Sequence, residues 1–314
     1  MKKLLIAAAA ASFGFGLVAE ETAPAPKDGA PAEAAQVEEK DECPLEAGVD
    51  VDLFTAYVWR NSVQSDRPVV QPCVWADWTV VDPFYVGFSV WQNWDLTNRR
   101  RHGGYRGEWN ETDYNVHAGT ALWTSDDEET KLNLEVGHEW LTYNVHGTYA
   151  GEDGYRKRKD FPSTCEIYVK LELENAYVTP YAQLSHEYRY VDGTHYELGL
   201  KKEEKLSDLF DSENDLLSQL TLAGEVNVNF GSRRYLTYLY DGDASEGDSL
   251  SNSIGGITAK LGLTWAPCDH FSIGGLVAFT SVLNDTARGE VREFDDWCNA
   301  TDLVWGGIQA KISF

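Results

Sequence analysis

The chain has 314 residues, a formal net charge of −25 at pH 7 and a mean hydropathy of −0.40. This acidity makes nucleic acid and anionic membrane surfaces poor partners, because like charges repel. After the N-terminal segment no window approaches the roughly 18 apolar residues that a membrane helix requires, which excludes a helical membrane protein.

The first 45 residues predict export without a folded domain. Residues 1–19 have two lysines, a short apolar run and a small residue, Ala19, before Glu20, which is the pattern of a secretory signal peptide. Residues 20–45 are rich in Ala, Pro and Glu and contain too little apolar surface to offset the entropy of ordering. We therefore predict a disordered periplasmic spacer at 20–45 and one domain at 46–314.

Apolar and polar residues alternate along the rest of the chain, with the period of half-exposed strands. Helical periodicity competes only at 201–217, which favours either a helical turn or a long connection. Alternating stretches lie near 48–60, 70–80, 84–96, 112–123, 130–142, 164–174, 180–190, 194–201, 217–230, 254–265, 270–282 and 302–314. The sequence therefore predicts an all-β fold, a transmembrane antiparallel up-and-down β-barrel of about 12 strands.

The connections between these stretches alternate in length. Short ones lie at 82–83, 124–129, 174–179 and 266–269, and longer polar ones at 61–69, 97–111, 143–163, 231–253 and 283–301. Short turns at one end and long loops at the other are typical of barrels in the outer membrane of Gram-negative cells, where we expect this chain. One hairpin departs from the pattern: Asp192-Gly193 predicts a tight type I′ turn on the long-loop side, opposite a long connection at 202–216.

The last ten residues, WGGIQAKISF, alternate in the same way and end in Phe314. This ending resembles the C-terminal signal of outer-membrane proteins, which implies the barrel-insertion machinery as a partner. We expect the final strand to pair with the first, so that no strand edge is left unpaired in lipid.

Strands 1 to 3 and the middle of the chain resemble a known family. The stretch VDLFTAYVWRNSVQSDRPVVQPCVWADW, followed by FYVGFSVWQNWDLTN, is similar to the TorF-like porins and related outer-membrane barrels. Their opening carries Y-V-W/F-R-G, and here Asn61 stands in place of the Gly after Arg60. The hairpin PYAQLSHEYRYVDGTHYELGLKK, from Pro180, resembles the middle of that family. The resemblance implies a passive channel.

Alternation assigns the side chains to two faces. Apolar residues such as Phe88, Val136 and Ile167 are predicted to face lipid. Aromatic residues near strand ends predict girdles at the headgroups, namely Trp59, Trp78, Trp94, Trp140, Trp265 and Phe314. Predicted pore-lining residues are Arg60, Trp91, Asn93, Asp95, Glu135, Glu139, Lys170, Glu187, Arg189 and Glu225.

Acids outnumber bases on the predicted inner face, which favours cations if the lumen is open. Neighbouring charges can instead pair and fill it, as in small barrels, and Lys170 among Glu166, Glu172 and Glu174 suggests such a network. The leading prediction is a porin-like channel for passive diffusion of small neutral or cationic solutes. The first alternative is a structural or adhesive barrel with a filled lumen, acting through its loops. Its basic stretches at 99–109 and 154–161 would contact lipopolysaccharide. The lipid of the outer membrane is a partner expected of any such barrel.

A lipid-modifying barrel enzyme is the less favoured alternative. Ser185 and His186 are adjacent on one strand and must point to opposite faces, so they cannot act together as nucleophile and base. The acidic loop at 241–249 lacks the glycine of a calcium loop. We therefore predict no enzymatic activity, no cofactor and no metal. Among the five cysteines, Cys43 could pair with Cys268, and two of Cys73, Cys165 and Cys298 could form a second disulfide.

Overall fold

The computed structural model describes residues 9–10, 13–14, 44–96, 109–143, 146–150, 156–160, 163–241, 250–293 and 300–314. Ala9–Ala10 and Phe13–Gly14 form two-residue strands. Cys43, Cys298, the spacer up to residue 43, and nearly all of the acidic loop and of the basic stretch at 99–109 lie outside the described residues. Within the described ranges, no helix has the length and apolar character to cross a bilayer.

Twelve strands close into one antiparallel barrel, as predicted. Each strand pairs with its neighbours in sequence, and the last pairs with the first. The strands are β1 (Leu45–Phe54), β2 (Val69–Val81), β3 (Phe84–Asp95), β4 (Trp109–Thr124), β5 (Lys131–Tyr143), β6 (Thr164–Glu174), β7 (Thr179–Glu187), β8 (Gly193–Lys205), β9 (Leu220–Gly231), β10 (Ser253–Cys268), β11 (Phe271–Val282) and β12 (Asp302–Ser313).

The seam between β12 and β1 completes the cylinder. Lys311 pairs with Asp50 and Ile308 with Leu53 along this seam. At its end the backbone N–H of Phe314 donates to the carbonyl of Ala47 over 2.8 Å. The seam therefore leaves neither strand with an open edge, as a sheet surrounded by hydrocarbon requires.

Alternation along each strand separates an apolar exterior from a polar interior. On β6, Ile167 is 50% exposed on the outside, whereas its neighbour Glu166 points inward and is 0% exposed. The exterior continues through Phe88, Val136 and other aliphatic residues, as predicted. Trp78, Trp94, Trp140, Trp265 and Phe314 are exposed near strand ends. An apolar band with aromatic edges around a polar lumen is the surface of an outer-membrane barrel, and this chain is one.

The prediction for Trp59 was wrong. β1 ends at Phe54 rather than near residue 60, and the chain then forms a short hairpin of Tyr57–Trp59 and Ser62–Ser65. Trp59 lies on this hairpin and packs against buried residues of the lumen, not against lipid. Alternation continues across the bend at residues 55–56, so the sequence pattern did not mark the end of the wall strand.

The described parts of the connections contain four helices: α1 (Leu206–Leu209), α2 (Asp215–Ser218), α3 (Arg233–Asp241) and α4 (Asp285–Glu293). The first two confirm helical turns within 201–217. The other two were not predicted, because each is a short helix inside a polar loop. Apolar residues of α3 recur at helical spacing at 235, 236, 239 and 240, and all four are buried.

The type I′ turn predicted at Asp192-Gly193 was also wrong. Only Asp192 has a positive φ, 50°, and Gly193 already begins β8. The connection runs from residue 188 to 192, and Glu187 organises it. The Glu187 carboxylate accepts hydrogen bonds from the backbone N–H groups of residues 189–192.

Interior tyrosines lie flat on glycines of the adjacent strand. The ring of Tyr181 occupies the space beside Gly199, where an added Cβ would lie 2.2 Å from a ring carbon. Two other cross-strand pairs repeat this arrangement, namely Tyr85 with Gly119 and Tyr168 with Gly137. Glycine at these sites lets a large ring fit inside the curved wall.

We predict that Gly199→Ala lowers the free energy of unfolding by about 1–3 kcal/mol, because the methyl group displaces the Tyr181 ring. Gly224→Ala is the matched control: Gly224 occupies an outward-facing strand position with nothing within 4 Å of the added atom, and a change below about 0.5 kcal/mol is expected. Urea unfolding in lipid vesicles measures both variants. Equal stability of the two would contradict the packing role of the ring.

Candidate functional site

An inward-folded hairpin occupies the lumen near the long-loop end of the barrel. Its strands, Tyr57–Trp59 and Ser62–Ser65, are joined by Arg60 and Asn61, with φ of 49° and 62°. Two consecutive positive φ angles form a type I′ turn, and Asn accepts this conformation more readily than most residues. We call residues 57–65 the lumen hairpin.

Arg60, at the tip of the lumen hairpin, contacts the opposite wall. Its Nη2 donates to Oε1 of Glu166 on β6 over 2.5 Å, and the two side chains are 8% and 0% exposed. Its Nη1 donates to the hydroxyl of Tyr235 on α3, and its guanidinium lies 4.5 Å from the ring centroid of Trp59. Burial alone would lower the pKa of Arg60, but Glu166 and Tyr235 outweigh it and raise that pKa. The guanidinium therefore stays charged.

Amide side chains fix the backbone of the same turn. Asn229 on β9 donates to the carbonyl of Arg60 over 2.5 Å, and Asn61 donates to the carbonyl of Gly256 over 3.1 Å. The backbone N–H of Gly256 donates to Oδ1 of the same Asn229 side chain. These contacts hold the hairpin tip to β9 and β10.

Helices α3 and α4 cover the hairpin from the long-loop end. Their buried apolar residues form one cluster with residues of the nearby connections: Val191, Tyr235, Leu236, Leu239, Tyr240, Leu250, Val282, Ala287 and Val291. Tyr238 of α3 donates to the hydroxyl of Tyr143 on β5 over 3.0 Å. We call this cluster the extracellular cap. It gives the mouth of the barrel a small hydrophobic core.

Carboxylates crowd the wall beside the lumen hairpin. Glu139 is the cross-strand neighbour of Glu166 on one side and of Asn115 on the other. Asp113 lies across from Trp91. Arg60 is the cation paired with Glu166, and neither Asp113 nor Glu139 forms an ion pair within the part of the chain that the structure describes. This part of the lumen is strongly acidic.

Charges are better balanced toward the short-turn end. Glu172 pairs with Lys170 over 3.2 Å and with Lys201 over 2.8 Å, and Glu225 pairs with Lys260 over 3.1 Å. Of the network suggested around Lys170, the pair with Glu172 is present, whereas Glu166 pairs with Arg60. The pairs lie partly accessible inside the lumen and lower the net charge of this region.

A cavity lies between the lumen hairpin and the wall formed by β2 to β5. The space between the atoms there measures about 590 Å³, which includes open solvent at its mouth. Aromatic side chains line one part of it, among them Tyr57 and Trp91, and polar side chains line the other, among them Asp113, Asn115 and Glu139.

The predicted pore-lining residues fall into two groups. Eight occupy inward positions on wall strands: Trp91, Asn93, Asp95, Glu135, Glu139, Lys170, Glu187 and Glu225. Arg60 instead lies on the lumen hairpin, and Arg189 lies exposed in the connection after β7. Both arginines had been placed on strands that end earlier than predicted.

Sequence reasoning missed several residues of the site. Asp113 and Asn115 share one face of β4 with His117 and alternate with the apolar residues Tyr114 and Val116, so their inward position was detectable. Asn229 and Tyr235 gave no such signal, because their role depends on where the hairpin folds.

The structure also places the serine, histidine and cysteine residues considered in the sequence. Ser185 points inward and is fully buried, while His186 points outward beside Thr194, so the two lie on opposite faces as predicted. Cys73 lies inside the lumen and Cys165 occupies an outward-facing position, which rules out a disulfide between them. No group of three or more His, Cys, Asp or Glu able to hold a metal occurs among the described residues.

Comparisons with known proteins find similar barrels but no family. No family model and no curated protein matches the chain, so the TorF-like resemblance stays a prediction. The NanC porin structure covers 85% of this chain and 98% of its own, at 8% identity and a TM-score of 0.44. The KdgM porin covers 86% and 99%, at 8% identity and 0.42. Outer membrane phospholipase A from Escherichia coli covers 85% and 92%, at 11% identity and 0.39. These matches include both porins and an enzyme, and they assign no activity here.

We predict that Arg60→Met lowers the free energy of unfolding by about 3 kcal/mol, because it leaves the Glu166 carboxylate buried without its partner. Arg234→Met is the matched control, since Arg234 forms an exposed pair with Asp192 at 2.8 Å. Loss of that pair is expected to cost less than about 1 kcal/mol. Denaturant unfolding in lipid vesicles gives both values.

The double variant Arg60→Met/Glu166→Gln is expected to recover part of the loss, because it removes the unpaired charge. An Arg60 variant no less stable than the Arg234 variant would contradict the anchoring role of the buried pair.

Proposed function

We propose that the chain is a porin-like channel for small neutral or cationic solutes, closed in the described conformation by the lumen hairpin. The observation that carries this proposal is a charged lumen, rich in carboxylates, in which a loop rather than the wall fills the space near the long-loop end. A ring of acidic side chains favours cations over anions in a pore.

The hairpin supports the proposal because a few contacts hold it. Arg60 joins it to Glu166 and Tyr235, and Asn229 binds its backbone. Its removal leaves the wall strands and their ladders intact, since the hairpin pairs with itself rather than with the barrel sheet. A conformational change that moves this segment, together with the extracellular cap to which Arg60 is bound through Tyr235, would therefore open a path along the lumen.

A structural or adhesive barrel with a filled lumen is the second candidate. The extracellular cap favours it, because fully buried residues such as Tyr235 and Leu236 give the mouth a packed core. On this alternative the loops would bind lipopolysaccharide or another surface partner, and no solute would pass.

Planar-bilayer conductance separates the two candidates. We expect little current from the wild-type protein and a several-fold larger conductance when residues 57–65 are replaced by a short Gly-Ser linker. In a salt gradient, the reversal potential of the open variant should show that cations pass more readily than anions. A similar shortening of the connection at 207–214, outside the lumen, is the control and should leave the current unchanged.

Two results would count against the channel. A correctly folded barrel that lacks the hairpin and carries no current would favour the structural barrel. Anion preference in the open variant would contradict the acidic lumen.

A further inference from the structure

We propose that the cavity beside the lumen hairpin binds the primary ammonium group of a small aliphatic amine. The inference deepens the proposed channel, on which its role in transport rests. It names the chemical class of solute that the lumen recognises.

Unused hydrogen-bond acceptors face this cavity. Asn115 is 2% exposed, and its Nδ2 donates to the hydroxyl of Tyr168 over 3.2 Å, which leaves its Oδ1 without a partner among the described residues. Oδ1 of Asp113 is likewise buried and unpartnered there. Glu139, 4% exposed, adds a second carboxylate on the same lining. A buried acceptor of this kind costs free energy unless it accepts a hydrogen bond from a donor.

Among the residues that the structure describes, no cation pairs with the carboxylate of Asp113 or of Glu139. Arg60, the cation of the lumen hairpin, forms its salt bridge with Glu166, and no salt bridge of the described residues involves Asp113 or Glu139. A positively charged ligand would therefore neutralise carboxylates that have no cationic partner in the described part of the chain, and it would not have to displace an existing ion pair. This is the electrostatic reason for a cation rather than a neutral solute.

Aromatic rings form the rest of the lining. The centroids of Tyr57 and Trp91 lie 5.5 Å apart at 49°, and Trp59 already holds the Arg60 guanidinium on its ring. The indole N–H of Trp305 is used by Thr280 over 3.0 Å, so its ring offers mainly apolar contact. Rings of this kind attract cations through their faces and shelter a short alkyl chain.

The acceptors decide which cation fits. A primary ammonium carries three N–H donors for the acceptors of Asp113, Asn115 and Glu139. A quaternary ammonium has none and would leave these oxygens unsatisfied. A metal ion is a poorer match, because no metal-holding group of acidic, His or Cys residues occurs within the described ranges.

Calorimetric titration of the folded barrel in detergent micelles tests the inference. The probes are butylammonium, tetramethylammonium and 1-butanol at pH 7. We expect butylammonium to bind at least about tenfold more tightly than either of the others, since one charge-assisted hydrogen bond is worth about a factor of ten or more.

Two variants with the same change of charge locate the site. Asp113→Asn should weaken butylammonium binding about tenfold or more. Glu172→Gln removes a lumen carboxylate that pairs with Lys170 and Lys201, away from the cavity, and should leave binding close to wild type. The mobility of unheated protein in gels verifies that each variant is folded.

The inference is overturned by absence of butylammonium binding, by equal binding of tetramethylammonium, or by equal effects of the two variants. Binding to the wild-type protein, with no current through the hairpin-deleted protein, would remove the channel and keep the site. Current through the hairpin-deleted protein, with no binding to the wild-type protein, would keep the channel and remove the site.

Discussion

The whole structure depends on completing backbone hydrogen bonds inside a hydrocarbon environment. Each strand must be paired on both sides, and the pairing of β12 with β1 achieves this for the two strands that would otherwise be edges. Closure also fixes the side chains, because every second residue of each strand must point into the lumen. The chemistry of the interior is therefore a direct consequence of the alternating sequence.

An enclosed polar interior must then satisfy its own charges and hydrogen-bonding groups. At the short-turn end, lysines and glutamates do this in pairs such as Lys260 with Glu225. At the long-loop end the wall supplies mainly acids, and compensation comes from the lumen hairpin through Arg60. The hairpin, the extracellular cap and the acidic wall are thus linked by one guanidinium. The cavity beside Asp113 is where this compensation is incomplete.

The strand pattern and the closed barrel were predictable from sequence, because alternation is a local property. Ile167 and Glu166 reveal their faces by position alone. The inward fold of residues 57–65 was not predictable in this way: the segment alternates like the strand before it, and its position depends on Glu166 and Asn229, far away in the chain. The same holds for α3, whose buried residues find their partners in other loops. Contacts between distant segments place the site, while local periodicity places the wall.

The most direct measurement concerns the seam that closes the cylinder. Nitroxide labels on cysteines introduced at the outward-facing pair Leu53 and Ile308, in a background without native cysteines, report the distance between β1 and β12. Paired strands hold these backbone positions about 5 Å apart, so strong dipolar broadening of the electron paramagnetic resonance spectrum is expected. A spectrum without broadening, from protein that is otherwise folded in lipid, would show two separated edges and contradict a closed barrel.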